Sequence, residues 1–188
     1  MSKPVLQVII CSTRPTRVGK AVGDWFIEAA RAHGQLEVEV SDLAEIDLPL
    51  LDEPHHPFQR KYQHEHTKAW SERIDSSDAV VFVTPEYNYG IPATGKNALD
   101  YLYHEWSNKP VGFVSYGGSS GGVRAVQMFK QVATTVGLHP IGATVAVAFV
   151  GEKVRDGAFI ATEDEREAAT AVLDELARTA PVLAQLRD

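Results

Sequence analysis

Dense apolar runs punctuate the chain at Val5–Ile10, Ala79–Val83, Val111–Ser115 and Ala143–Val150. The first three are nearly continuous, the pattern of strands covered on both faces. Leu36–Val40 differs, because Leu36, Val38 and Val40 alternate with glutamates, and this predicts an edge strand. Between these runs the apolar period lengthens to that of a helix. Val18, Val22, Trp25, Phe26 and Ala29 share a face, with Gly34 as terminator. Pro92 suits a first helical turn ahead of Leu99, Leu102, Tyr103 and Trp106. Val123, Val126, Phe129, Val132, Ala133 and Val136 repeat the pattern up to Gly137. Thr162 and Glu165 form a capping box for a last helix carrying Ala169, Val172, Leu173 and Leu176, which Pro181 limits or kinks. The Pro- and His-bearing stretch 49–70 reads as helical only in its second half.

Strand–helix alternation along the whole chain predicts an α/β fold with a parallel sheet and helices on both faces. Five strands at this length favour a flavodoxin-like three-layer sandwich in strand order 2-1-3-4-5. Its ligand crevice would lie at the carboxyl ends of strands 1 and 3, where the order reverses. No repeat or linker interrupts residues 1–188, so the chain reads as a single domain.

Composition narrows the partners. Lys and Arg total 18 against 25 for Asp and Glu, a formal charge of −7. That sign argues against non-specific nucleic-acid or anionic-membrane binding. Cys11 is the single cysteine, which excludes an internal disulfide framework and fits a reducing compartment. No small-residue cleavage site follows the first apolar run, and no run approaches the ~18 residues of a transmembrane helix. The expectation is a soluble, cytoplasmic protein.

The carboxyl-end loops carry the chemistry. Ser12-Thr13-Arg14-Pro15-Thr16-Arg17-Val18-Gly19-Lys20 follows strand 1 and opens a helix, whose free N–H groups and partial positive charge attract a phosphate. The guanidinium groups and hydroxyls add charge-assisted bonds; the alternative is a solvated basic turn. Thr84-Pro85-Glu86-Tyr87-Asn88-Tyr89-Gly90-Ile91-Pro92 follows strand 3, stiffened by two prolines and bearing two flat phenol rings. Tyr116-Gly117-Gly118-Ser119-Ser120-Gly121-Gly122 follows strand 4 and lets backbone N–H groups approach a ligand, unless it is a mere connector. Three such loops at one edge suit a planar, phosphate-bearing ligand, and flavin mononucleotide (FMN) fits that description.

S-T-R-P-T-R-V-G-K, T-P-E-Y-N-Y-G-I-P-A and the G-G-S-S-G-G loop resemble the signatures of the NADPH-dependent FMN reductase family, over roughly residues 5–145. That family is flavodoxin-like and includes quinone, azo-dye and chromate reductases. The resemblance implies that Ser12, Arg14, Arg17, Val18, Gly19 and Lys20 surround the FMN phosphate. Pro85, Glu86, Tyr87 and Asn88 would border the isoalloxazine, and Gly117, Gly118 and Ser119 would reach its pyrimidine side. It further implies an NAD(P)H:FMN oxidoreductase, with NADPH or NADH as co-substrate and chemistry on flavin N5 without a catalytic side chain. Ping-pong transfer to a small acceptor and a homodimer or homotetramer are implied as well. Two positions depart from the family pattern: Cys11 stands where glycine is usual, and Gly95 where a larger apolar residue precedes the lysine of the P-A-x-x-K-N run. The first could loosen FMN binding and the second the helix start.

Other motifs fall away. Gly90–Asn97 nearly spells a Walker A loop, but Asn97 replaces the Mg²⁺-binding hydroxyl and Pro92 removes an N–H. Gly117–Gly121 matches G-x-S-x-G, yet no acid lies between Ser119 and His139, the only later histidine. His55, His56, His64 and His66 cluster without metal-ligand spacing; His64 and His66, two apart, would face different sides of a helix. Two rivals share the fold: a flavodoxin-type electron carrier, whose phosphate loop usually lacks arginines, and a flavin-binding regulatory module.

Overall fold

A computed structural model describes residues 3–187. The elements run β1 (Val5–Ile10), α1 (Gly19–His33), β2 (Glu37–Asp42), α2 (Leu43–Ile46), α3 (Glu65–Asp75), β3 (Ala79–Pro85), α4 (Ala93–Asp100), β4 (Lys109–Tyr116) and α5 (Val123–Thr135). After them come β5 (Leu138–Pro140), β6 (Val145–Val147), β7 (Val154–Arg155), β8 (Ala158–Phe159) and α6 (Glu163–Leu183). The main sheet is parallel in the order β2-β1-β3-β4-β5, with β6 also on β4, which is the flavodoxin-like arrangement expected.

Side-chain alternation along the strands builds the two cores. Leu6, Val8 and Ile10 of β1, Ala79, Val81 and Val83 of β3, and Val114 and Tyr116 of β4 pack against α1 and α6. Ile9, Val80, Phe82, Val111 and Phe113 turn to the other face, against Trp70, Leu99, Trp106 and Phe129. Burial on both faces is why these strands read as continuous apolar runs. β2, half-exposed on its glutamate side, is the edge strand its alternation predicted.

Three expectations are corrected. The fifth strand is not one run from Ala143 to Val150. It consists of β5 and β6, separated where the Glu175 carboxylate of α6 accepts the Gly142 and Ala143 N–H groups at 3.1 and 2.9 Å. The helix after Pro92 stops at Asp100 instead of reaching Trp106, because the indole N–H groups of Trp70 and Trp106 take its terminal carbonyls, Ala98 and Leu99, at 2.9 and 3.1 Å. Pro181 lies in the last turn of α6, which ends at Leu183 as a limiting proline implies. His64 precedes α3 in an extended conformation, so its ring stacks on that of His66, 5.2 Å between centroids, instead of facing away.

At the amino ends of β3 and β4, Lys109 is fully buried. Its ammonium donates to the Ile74 and Asp75 carbonyls at the end of α3, and no carboxylate among the described residues pairs with it. Burial pushes its pKa down to about 8. In the unfolded chain it stays protonated to about 10.4. Between those values the unfolded state binds more protons, so this residue makes stability rise with pH. The unfolding free energy of the parent minus that of Lys109→Met should increase by about 2 kcal/mol from pH 8 to pH 10, read from urea melts. A difference that stays flat across that window contradicts the burial argument.

Candidate active site

β1 and β3 lie side by side, with Ile10 opposite Val83, and β4 follows with Tyr116 opposite Pro85. Their three outgoing loops therefore meet at one edge. The first loop runs from Cys11 to Val18. No side chain caps α1, and no acidic residue lies in its first turn. Its leading amides are thus open to an anion. Gly19 lies so close to β4 that a methyl group there would fall 2.0 Å from the Tyr116 hydroxyl oxygen. That phenol is buried and finds no hydrogen-bond partner among the described residues. Burial drives its pKa well above the ordinary range.

Ser12 is buried, and its hydroxyl shares a 2.9 Å hydrogen bond with the Tyr87 hydroxyl, joining the first loop to the second. Thr94 donates its hydroxyl to the Cys11 carbonyl at 2.5 Å, so α4 holds the same turn from the other side. In the second loop Tyr87 and Gly90 exchange both backbone bonds, at 3.0 and 2.9 Å, around Asn88 and Tyr89. Both central residues have positive φ, 49° and 68°, the geometry of a type I′ turn. Left-handed backbone is costly for tyrosine. Here the Arg124 guanidinium lies 3.8 Å over the Tyr89 ring and holds it.

Glu86 ties the second loop to the third. Its carboxylate accepts the Arg124 backbone N–H at 3.0 Å and Arg124 Nε at 2.7 Å, and also the Ser120 hydroxyl at 3.2 Å. It therefore caps α5 from outside the helix. Burial would raise its pKa, but Arg124 and Ser120 outweigh it and hold the carboxyl below its usual range. In the third loop Gly122 has φ 85°, and a methyl group there would come within 2.9 Å of Ser115 and the Tyr116 backbone. Gly117 N–H donates to Val147, while the Gly117 and Gly118 carbonyls receive Val150 and Phe149 N–H groups. Among the described residues, the Gly118 and Ser119 N–H groups donate to nothing in the protein.

The candidate residues thus gather at one place, but not in equal roles. Ser12, Gly19, Tyr87, Gly117, Gly118 and Ser119 border the crevice, and Pro85 ends β3 beneath it. Val18 precedes α1, and Asn88 lies exposed in the turn. Lys20 pairs with Asp24 at 2.6 Å, and Arg17 with Asp42 at 2.5 Å. Arg14 is exposed and has no carboxylate partner among the described residues. Reading the sequence put Tyr116 at the head of the third loop without giving it a role, and missed Asp42, Thr94 and Arg124. Only Asp42 left a signal, as an acid at a strand end, and nothing local linked it to Arg17.

The two departures prove to be neighbours. Cys11 points away from the crevice into the core, and a methyl group on Gly95 would lie 3.4 Å from its sulfur and 2.8 Å from Phe129. The thiol occupies space that a larger residue 95 would need. A cavity of about 520 Å³ opens at the amino ends of the strands, but Arg60 and Arg187 in its lining already pair with Asp75, Glu105 and Asp78. No group of three or more His, Cys, Asp or Glu that could hold a metal exists among the described residues.

Similarity to known proteins identifies the family of the chain. The profile described as NADPH-dependent FMN reductase matches residues 5–152. The chain belongs to that family. An NAD(P)H-dependent FMN reductase of Schizosaccharomyces pombe is 40% identical over 156 residues, covering 82% of this chain and 78% of the relative. An Arabidopsis thaliana NADPH:quinone oxidoreductase is 35% identical over 75 residues, 38% of each chain. The FerB flavoenzyme NAD(P)H:(acceptor) oxidoreductase of Paracoccus denitrificans shares the fold, with a TM-score of 0.74 at 21% identity over 95% of this chain and 98% of that one. Membership makes the protein an NAD(P)H-dependent oxidoreductase that works with FMN.

Burial pushes the Cys11 thiol well above the ordinary range, so it carries no thiolate at neutral pH. Folded protein should leave Cys11 unreactive toward a thiol reagent while denatured protein reacts fully, followed by absorbance of the released chromophore. Ready reaction of the folded protein would show that the sulfur faces the crevice.

Proposed function

We propose that residues 1–188 act as one FMN-binding domain passing electrons from NAD(P)H to a small quinone-like acceptor by alternate occupancy of one site. The observation that carries the reading is the uncapped start of α1 beside Arg14, at a crevice where loops from three strands converge. The helix amides and Arg14 would hold the phosphate; the Ser12 and Tyr87 hydroxyls border the same turn. The N–H groups of Gly118 and Ser119, which donate to nothing among the described residues, would supply fixed dipoles to the polar edge of a bound flavin. Bound there, the flavin supplies hydride and electron transfer, which no side chain of this protein provides. The Glu86–Arg124–Tyr89 assembly fixes the second and third loops against each other, so the ring would enter a preformed slot.

The quinone-like acceptor rests on the names of relatives such as the Arabidopsis thaliana oxidoreductase. Homodimers or homotetramers are the assembly that the family resemblance implies, and the exposed Tyr89 and Met128 leave apolar surface beside the second loop. No helix among the described residues is long and apolar enough to cross a membrane, and the cytoplasm is the proposed compartment.

Two measurements test this. Replacing Arg14 with Ala should weaken FMN about tenfold or more by flavin-fluorescence titration while leaving riboflavin unchanged, because one charge-assisted bond is lost. Equal loss for both ligands would remove the phosphate role. Steady-state rates with NADPH and a quinone, each varied against the other, should give parallel double-reciprocal lines. Intersecting lines would mean that both substrates bind together.

A further inference from the structure

Among the described residues, five cations lie on the loops that follow β1, β3 and β4 and in the first turns of α1, α4 and α5, and four already have carboxylates: Arg17 with Asp42, Lys20 with Asp24, Lys96 with Asp100 and Arg124 with Glu86. The Lys20 and Lys96 pairs are exposed i,i+4 contacts of the kind that contribute little. Arg17–Asp42 is different in kind. Its side chains are only 14% and 4% exposed, and the fork is bidentate, Nη1 and Nη2 meeting Oδ1 and Oδ2 at 2.5 and 2.6 Å. The same Nη1 also donates to the Ser12 carbonyl at 2.5 Å. Among these four pairs it alone joins the backbone of the first loop to another strand.

Asp42 is itself fixed. It ends β2 opposite Ile10 of β1, and its Oδ1 accepts the Ala44 N–H at 3.0 Å as the cap of α2. From this anchor the carboxylate sets the guanidinium, and the guanidinium sets the turn that begins at Ser12. Charge and position then pull in opposite directions. Removing the carboxylate leaves Arg17 uncompensated and raises the local charge by one, which alone would attract a phosphate more strongly. It also strips a largely buried guanidinium of its partner, so the group must turn toward water and release the Ser12 carbonyl.

We propose that Asp42 is a positioning residue for the FMN phosphate, holding the first loop in its binding shape through Arg17, and that this outweighs its unfavourable charge. This rests on the proposal that the loop takes the phosphate. The role differs from the one the sequence suggests for Arg17, since its fork faces Asp42 and leaves Arg14 as the cation without a carboxylate.

Apoprotein titrations with FMN and with riboflavin separate the possibilities, the readout being the ratio of the two dissociation constants. A merely structural defect weakens both ligands and leaves the ratio alone. Asp42→Asn should lower the parent's preference for FMN about tenfold with riboflavin affinity nearly unchanged, and Asp42→Glu should restore part of it. An unchanged or increased preference in folded Asp42→Asn overturns the proposal. Should that variant fail to fold, Arg17→Lys decides: it keeps the charge but cannot make the fork, and the same fall is expected, whereas a retained preference overturns the proposal. A parent that does not distinguish FMN from riboflavin overturns the phosphate site itself, and the positioning role with it.

Discussion

The crevice exists because α1 and α4 leave the sheet on opposite faces from adjacent strands. β1 feeds α1, packed with α6 over one core, and β3 feeds α4, packed with Trp70 and Trp106 over the other. The two strands' outgoing loops part at their carboxyl ends, where the strand order reverses. Everything at the site follows from that parting. The Ser12–Tyr87 bond spans it, Thr94 braces it from α4, and the glycine loop after β4 closes its third side. Rigidity below comes from β3 and β4, buried along their whole length.

Electrostatics then select what enters. The chain carries a formal charge of −7 and surrounds its crevice with cations, most of which are matched by carboxylates. What is left over is local: the open amides of α1 and the Arg14 guanidinium. Such an arrangement suits a ligand with one concentrated anionic group and a flat body, and does little for a polyanion spread over many contacts. The paired cations act on the loops, with Glu86 and Arg124 holding the strained turn at Tyr89 and Asp42 and Arg17 holding Ser12.

Local signals carried most of the fold. Doubly buried strands, the capping box at Thr162 and the Gly34 stop after α1 are each written in adjacent residues, and the structure matches them. Failures occurred where a distant side chain intervened. Glu175 breaks the fifth strand from 32 or more positions away, and Trp70 reaches 28 positions to end α4. The small β7–β8 hairpin was legible in Asp156-Gly157, a strong type I′ signal, and was not read. The loops of the site were recognisable by residue type, but the division of labour among their charges was not. Whether Arg17 faces a phosphate or Asp42 depends on a contact 25 residues apart in sequence.

The central claim is that one flavin, held where β1, β3 and β4 end, takes electrons from NAD(P)H without help from a catalytic side chain. Its most direct test is the absorbance spectrum of the FMN-loaded protein before and after anaerobic mixing with NADPH. Loss of the flavin band within seconds is the predicted result. Bound flavin that keeps its colour under NADPH would contradict the account and leave the crevice to an electron carrier or a flavin-sensing module.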